Sequence, residues 1–155
     1  MRKMITVKIN GEERQYPQGA TYEDVANDYQ QEYENLIALA ARDGKIRELF
    51  KKLTRDCEVT FFTLKDDVGN KTYVRSATML FLKAVFDVYG REAAQSCRVE
   101  FAIGNGSYIS PKGKLNATEE NAAKIRNRMR ELVEAKTPFL KRSYSLDNAM
   151  ELFRK

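Results

Sequence analysis

Residues 4–17 read MITVKINGEERQYP, and this stretch decides how the fold begins. Apolar side chains alternate with polar ones at Ile5, Val7 and Ile9, which is the period of a strand with one buried face. The dipeptide Asn10-Gly11 follows, and it favours the two positive φ angles of a tight hairpin turn. The sequence therefore predicts a two-stranded antiparallel hairpin at the start of the fold.

The residues after this hairpin indicate one helix followed by further strands. Thr21 and Asp24 have the spacing of a capping box, which predicts that a helix begins there. Residues 36–41 are apolar, and a turn signal at Asp43-Gly44 separates them from the next short strand. Residues 59–64 are β-branched and aromatic, which is typical of another strand.

The resulting order is β, β, α, β, β, β. This order favours a small mixed sheet with one helix packed across it, the β-grasp (ubiquitin-like) arrangement, which we expect over residues 1–65. Residues 65–71 are charged and contain Gly69-Asn70, so we interpret them as a short linker. Residues 72–155 then form a second unit with both helices and strands, which makes the whole chain α+β.

The second unit contains three helical patterns. From Tyr73 an apolar stripe runs to Gly90, a residue that suits the C-terminal cap of a helix. Thr118 is placed to cap a longer helix. The apolar stripe of that longer helix comprises Ala122, Ile125, Met129, Leu132 and Val133. Ser145 begins a last short helix, and stopping on such a helix predicts that the chain ends inside a domain.

Composition limits the chemistry that this chain can perform. Histidine is absent, which removes the commonest general base and the commonest metal ligand. Cys57 and Cys97 stand forty positions apart with no neighbouring cysteine, so we expect neither a metal site nor a disulfide. No stretch is apolar enough for a membrane span, and nothing resembles a secretory signal. We therefore expect a cytoplasmic protein that makes no contact with a membrane.

The charge balance leaves two alternatives open. Lys and Arg exceed Asp and Glu by 27 to 22, an excess that lightly favours nucleic acid or nucleotide phosphate. Lys124 and Arg128 lie on the polar faces of the long helix, where they could contact RNA phosphates. Glutamates interrupt the same surface, so the alternative is a solvated helix with internal ion pairs.

Five segments together resemble the N-terminal region of threonyl-tRNA synthetase. The first, ITVKINGEERQYPQGATYEDVA at residues 5–26, resembles the TGS domain, a β-grasp module. The others resemble the editing domain that follows it in that synthetase. They are VRSATMLFLKAVFDVYG, FAIGNGSYI, ATEENAAKIRNRMRELVEAKTPF and SYSLDNAMELF, in that order. The resemblance implies a β-grasp domain followed by an editing-like domain that is truncated at its C-terminus.

The chain departs from that family at the editing position. The family carries an H-x-x-x-H pair on the second helix, and the matching residues here are Arg75 and Met79. Neither side chain can replace a neutral imidazole as a metal ligand or proton carrier. We therefore expect no catalytic residue and no metal site. A residual pocket is the remaining option, in which Arg75, Ser76, Met79 and Lys83 would bind an anionic group such as a phosphate.

TGS and editing-like units without these histidines also resemble the N-terminal part of bacterial nucleoside kinases of the uridine kinase type. That resemblance implies a non-catalytic accessory region whose partner is a downstream kinase domain of the same polypeptide, with ATP and Mg²⁺ as that domain's cofactors. The phosphate-binding string GxxxxGK followed by Ser or Thr is absent from these residues, so we expect no cofactor here. The alternative is an RNA-binding or tRNA-binding module related to the synthetase. The sequence leaves the nucleoside and the oligomeric state undetermined.

Overall fold

The computed structural model describes residues 3–104, 106–111 and 115–154. The chain divides into two units, Met1–Met79 and Leu80–Lys155, and each combines helices with strands. The expected α+β class is therefore confirmed. The division reflects compactness alone, so the predicted domain limits, 1–65 and 72–155, stay a prediction.

The first unit is built on a mixed five-stranded sheet. Its strands are β1 (Met4–Ile9), β2 (Glu12–Pro17), β3 (Ile37–Arg42), β4 (Lys45–Arg47) and β5 (Cys57–Thr63). Their order across the sheet is β2-β1-β5-β3-β4. The central strands β1 and β5 pair in parallel, and the other neighbours pair antiparallel.

The opening hairpin forms as the sequence predicts. Asn10 and Gly11 have φ angles of 51° and 88°, and strands β1 and β2 pair in register from Ile9 opposite Glu12 onward. The alternating residues Ile5, Val7 and Ile9 are all buried. Burying these three side chains on one face fixes the register, because a one-residue slip would turn them to solvent.

Helix α1 (Tyr22–Tyr29) covers the buried face of this sheet. Thr21 and Asp24 form the predicted capping box, in which each side chain accepts a hydrogen bond from the other residue's backbone N–H. Tyr22, Val25 and Tyr29 are buried among the apolar side chains of β1, β3 and β5. A short 3₁₀ turn (Gln30–Glu32) leads from α1 toward β3.

Helix α2 (Asp67–Ser96) begins where the sequence predicts a linker. The Asp66 carboxylate accepts a hydrogen bond from the Thr63 N–H at 2.6 Å, which turns the chain out of β5. Gly69 is buried, and a Cβ at this position would lie 2.0 Å from the Thr63 carbonyl oxygen. The linker interpretation of Gly69-Asn70 is wrong because Gly69 permits close helix packing rather than a turn. The predicted C-terminal cap at Gly90 corresponds to a kink, since the φ of Gly90 is 83° and helical residues continue beyond it to Ser96.

The second unit adds β6 (Arg98–Ile103), β7 (Gly106–Ser110), α3 (Glu119–Glu134) and α4 (Leu146–Phe153) to the end of α2. Strands β6 and β7 form an antiparallel two-stranded sheet. Thr118 and Ser145 cap α3 and α4, as predicted. The buried core comprises Ala84, Val85, Ala93, Leu115, Ile125 and Leu132.

Part of the predicted α3 stripe faces outward. Ile125 and Leu132 are buried, but Ala122 is exposed and Val133 is 61% exposed. The predicted stripe is therefore wrong at Ala122 and Val133, and at Val133 the reason is that residues 132 and 133 cannot both point at one narrow core. No helix in the described part of the chain is long and apolar enough to cross a bilayer.

Candidate functional site

The residues predicted to form a residual pocket lie on helix α2. Arg75, Ser76 and Met79 belong to the first unit, whereas Lys83 belongs to the second. Arg75 and Met79 are exposed, and the Ser76 hydroxyl donates a hydrogen bond to the Thr72 carbonyl at 3.1 Å. Ser76 is therefore bonded within its own helix and does not cap it.

Ser76 also lines a cavity of about 310 Å³ within the first unit. The polar side chains around it belong to Glu23, Asn27, Gln30, Thr72 and Tyr73. Arg75 and Met79 do not belong to the described lining of this cavity. A carboxylate at its wall disfavours a phosphate in this cavity, and the anion pocket predicted at Arg75, Ser76, Met79 and Lys83 stays a prediction.

Lys83 belongs to a network of charges that joins α2 to α3. Lys83 and Arg128 both bind the Asp87 carboxylate, and the Arg128 Nε atom lies 3.0 Å from Asp87 Oδ2. Arg128 also contacts Glu131 at 2.8 Å. The hydrogen bond from Lys83 holds the pKa of Asp87 below its ordinary value. Desolvation raises this pKa, but the hydrogen bond from Arg128 also lowers it. Lys83 and Arg128, both predicted to bind ligands, therefore have an internal carboxylate partner.

Two further cations of α3 are paired in the same way. Lys124 contacts Glu120 at 2.6 Å, one turn away, and this hydrogen bond raises the lysine's pKa. Arg126 lies 3.8 Å from Glu119. The geometry therefore favours the alternative of a solvated helix with internal ion pairs. The RNA contacts predicted for Lys124 and Arg128 stay a prediction.

A more cationic surface lies in the first unit, at residues 45–55, which we call the basic segment. It includes strand β4 and the turn that follows it. Its five cations are Lys45, Arg47, Lys51, Lys52 and Arg55, and its one acid is Glu48. Phe50 is 49% exposed at the turn, and the Lys51 ammonium lies 5.2 Å from the centre of its ring. The sequence pattern predicts only a strand here, although five cations around a phenylalanine are a visible signal of a binding surface.

The two cysteines are free and only partly buried. Burial raises the pKa of both thiols, which disfavours the nucleophilic thiolate. Within residues 3–104, 106–111 and 115–154, no group of three or more Cys, Asp or Glu side chains is placed to hold a metal ion.

Comparison with known proteins identifies relatives for nearly the whole chain, although no family model matches it. The threonine–tRNA ligase (threonyl-tRNA synthetase) of Thermotoga neapolitana is 29% identical over 159 residues, which cover 98% of this chain and 23% of the ligase. The ligase of Maricaulis maris is 27% identical over 151 residues, with 97% and 23% covered. That of Rhizobium etli is 26% identical over 144 residues, with 93% and 21% covered.

This chain is distantly homologous to the N-terminal region of threonine–tRNA ligases. The chain spans slightly less than a quarter of the length of these relatives. The three relatives described are ligases, so they support the resemblance to the synthetase and give no support to the kinase.

Proposed function

We propose that this chain is a tRNA-binding accessory region that lacks editing chemistry. It consists of a TGS-like β-grasp domain over residues 1–65 and a partial editing-like domain over residues 72–155. The observation that carries the proposal is the similarity to threonine–tRNA ligases over 98% of the chain, combined with the absence of histidine.

The sheet of the first unit supports the β-grasp assignment. Its first and last strands, β1 and β5, are parallel neighbours, with β2 on one side and β3 with β4 on the other. Helix α1 packs on one face and buries Tyr22, Val25 and Tyr29. This arrangement encloses one core with a single helix, as the β, β, α, β, β, β order requires.

The chemistry of α2 supports the loss of editing. Hydrolysis of an aminoacyl ester needs a group that can take up and return a proton near neutral pH. Arg75 stays protonated, and the Met79 thioether carries no exchangeable proton. Further along this helix, the Asp87 carboxylate is held ionised by Lys83 and Arg128. The chain can therefore contact tRNA without cleaving it.

Binding of deacylated tRNA at low ionic strength tests the proposal. We expect binding that weakens steeply with added salt, because displaced counterions return to the RNA phosphates. A control titration with an acidic polymer such as polyglutamate separates recognition of RNA from attraction to any polyanion. Undetectable tRNA binding at low salt, or equal affinity for both polymers, would contradict the proposal.

A second candidate is the accessory region of a nucleoside kinase, favoured by the replacement of the imidazole pair by Arg75 and Met79. ATP, Mg²⁺ and the P-loop would then belong to another part of the polypeptide. The reading frame after residue 155 distinguishes the two candidates. A GxxxxGK motif followed by Ser or Thr would support the kinase, and a ligase catalytic domain would exclude it.

A further inference from the structure

The basic segment differs from α3 in the partners of its cations. On α3, three of the four cations, Lys124, Arg126 and Arg128, each have a carboxylate within ion-pair distance. In the basic segment, Arg55 pairs with Asp43 at 3.0 Å, but Lys51 and Lys52 make no ion pair with another described residue. Their ammonium groups therefore stay available to an external phosphate.

The backbone of the basic segment is fixed against the start of helix α1. The Tyr22 N–H donates to the Lys51 carbonyl at 3.0 Å, and the Glu23 N–H donates to the Leu49 carbonyl at 2.8 Å. Leu53 is buried in the core, and its N–H donates to the Ala20 carbonyl at 2.7 Å. The exposed ring of Phe50 is thus presented on an ordered turn, which lowers the entropy cost of binding.

The neighbouring acids indicate which form of RNA this surface suits. Glu48 lies inside the segment and Glu23 lies beside it at the start of α1. These carboxylates weaken the attraction of the basic segment to a rigid RNA duplex, because a duplex would present only its phosphates to this surface. An unpaired nucleotide can also offer a base, and base stacking on an aromatic ring is tolerant of sequence.

We infer that the basic segment binds an unpaired stretch of RNA. In this inference, which rests on the proposed function, the Phe50 ring stacks on one base, and Lys51 and Lys52 contact the phosphates on either side. The inference assigns the RNA contact to the first unit rather than to the α3 residues Lys124 and Arg128.

Fluorescence anisotropy with labelled oligonucleotides tests this assignment in the full chain. The probes are an oligouridine of about twelve nucleotides, a duplex RNA of the same length, and deacylated tRNA. The Phe50→Leu variant keeps an apolar side chain but removes the ring. We expect it to weaken binding of the oligouridine about tenfold, the usual cost of losing one stacked base.

Three further variants serve as a charge test and as controls. Lys51→Gln combined with Lys52→Gln should reduce the slope of log affinity against log salt by about 0.7 for each phosphate that is no longer neutralised. Phe139→Leu removes a comparably exposed ring, 57% accessible, from the second unit. Lys71→Gln removes an exposed cation from the first unit outside the basic segment. Neither control variant should change the affinity.

The outcomes separate this inference from the proposed function. If wild type binds tRNA and the Phe50 and lysine variants bind equally well, the inference is wrong and the proposed function stands. If the duplex binds as tightly as the oligouridine, stacking on Phe50 is refuted. If wild type binds the oligouridine but not tRNA, the proposed function is wrong, and the basic segment binds unpaired RNA of another kind. If it binds neither, both are wrong.

Discussion

Gly69→Ala perturbs the contact between helix α2 and strand β5. A Cβ at residue 69 would lie 2.0 Å from the Thr63 carbonyl oxygen and 2.8 Å from its carbonyl carbon. An ordinary contact begins at 3.4 Å, so the backbone would have to move by more than an ångström. Both atoms belong to the end of β5, where the chain is already held by the Asp66 carboxylate.

Two effects of opposite sign decide the size of the change. Alanine favours a helix over glycine by about 1 kcal/mol. Overpacking a close backbone contact costs about 1–3 kcal/mol. Because the obstructing atoms are backbone rather than a flexible side chain, we expect the upper part of that range. The net loss in the free energy of unfolding is then about 1–2 kcal/mol, or about 5–10 °C in the melting temperature of a unit this size.

Urea denaturation followed by far-ultraviolet circular dichroism measures this loss, and hydrogen exchange assigns it to the first unit. Asn70→Ala is the matched control, because Asn70 is exposed on the same turn of α2. It should leave stability unchanged or raise it by a few tenths of a kcal/mol. A Gly69→Ala protein as stable as wild type would refute the close contact, and with it the explanation of why α2 begins before the predicted boundary.

Two further predictions concern charged and hydroxyl groups. Asp87→Asn should lower the free energy of unfolding by about 1–2 kcal/mol, since it leaves Arg128 and Lys83 without their shared anion. The control Glu119→Gln removes a longer and more exposed ion pair and should lower it by no more than about 0.5 kcal/mol. Equal losses for the two variants in urea titrations would disprove the network. Burial, together with the hydrogen bond to Asp28, raises the pKa of Tyr16 to about 12. The neutral phenol therefore stabilises the fold below pH 10, and this contribution is lost between about pH 10 and 12. Titration of phenolate absorbance should show an ionisation near pH 12 that the Tyr16→Phe variant lacks. The same late absorbance change in both proteins would contradict this prediction.

Elements whose signals are local could be predicted from the sequence. The Asn10-Gly11 hairpin, the Thr21 capping box and the helix starts after Thr118 and Ser145 each depend on residues within four positions of one another. Such signals specify backbone angles or a cap directly, so they need no knowledge of distant contacts.

Features that depend on distant contacts could not be predicted in the same way. Gly69 is a turn residue by composition, and only the position of Thr63 shows that it serves close packing. Arg128 resembles a surface cation until α3 brings it to Asp87, forty-one residues earlier in the chain. The cations of the basic segment are visible in the sequence, but only the structure shows that Phe50 is exposed on a turn held against α1.

The separation of tRNA binding from editing is the central claim, and hydrolysis of seryl-tRNA by the purified chain tests it most directly. The proposed function predicts that seryl-tRNA binds and that the ester is lost no faster than in buffer, with or without added Zn²⁺. Hydrolysis above that background, abolished by substituting Arg75 or Met79, would contradict the claim.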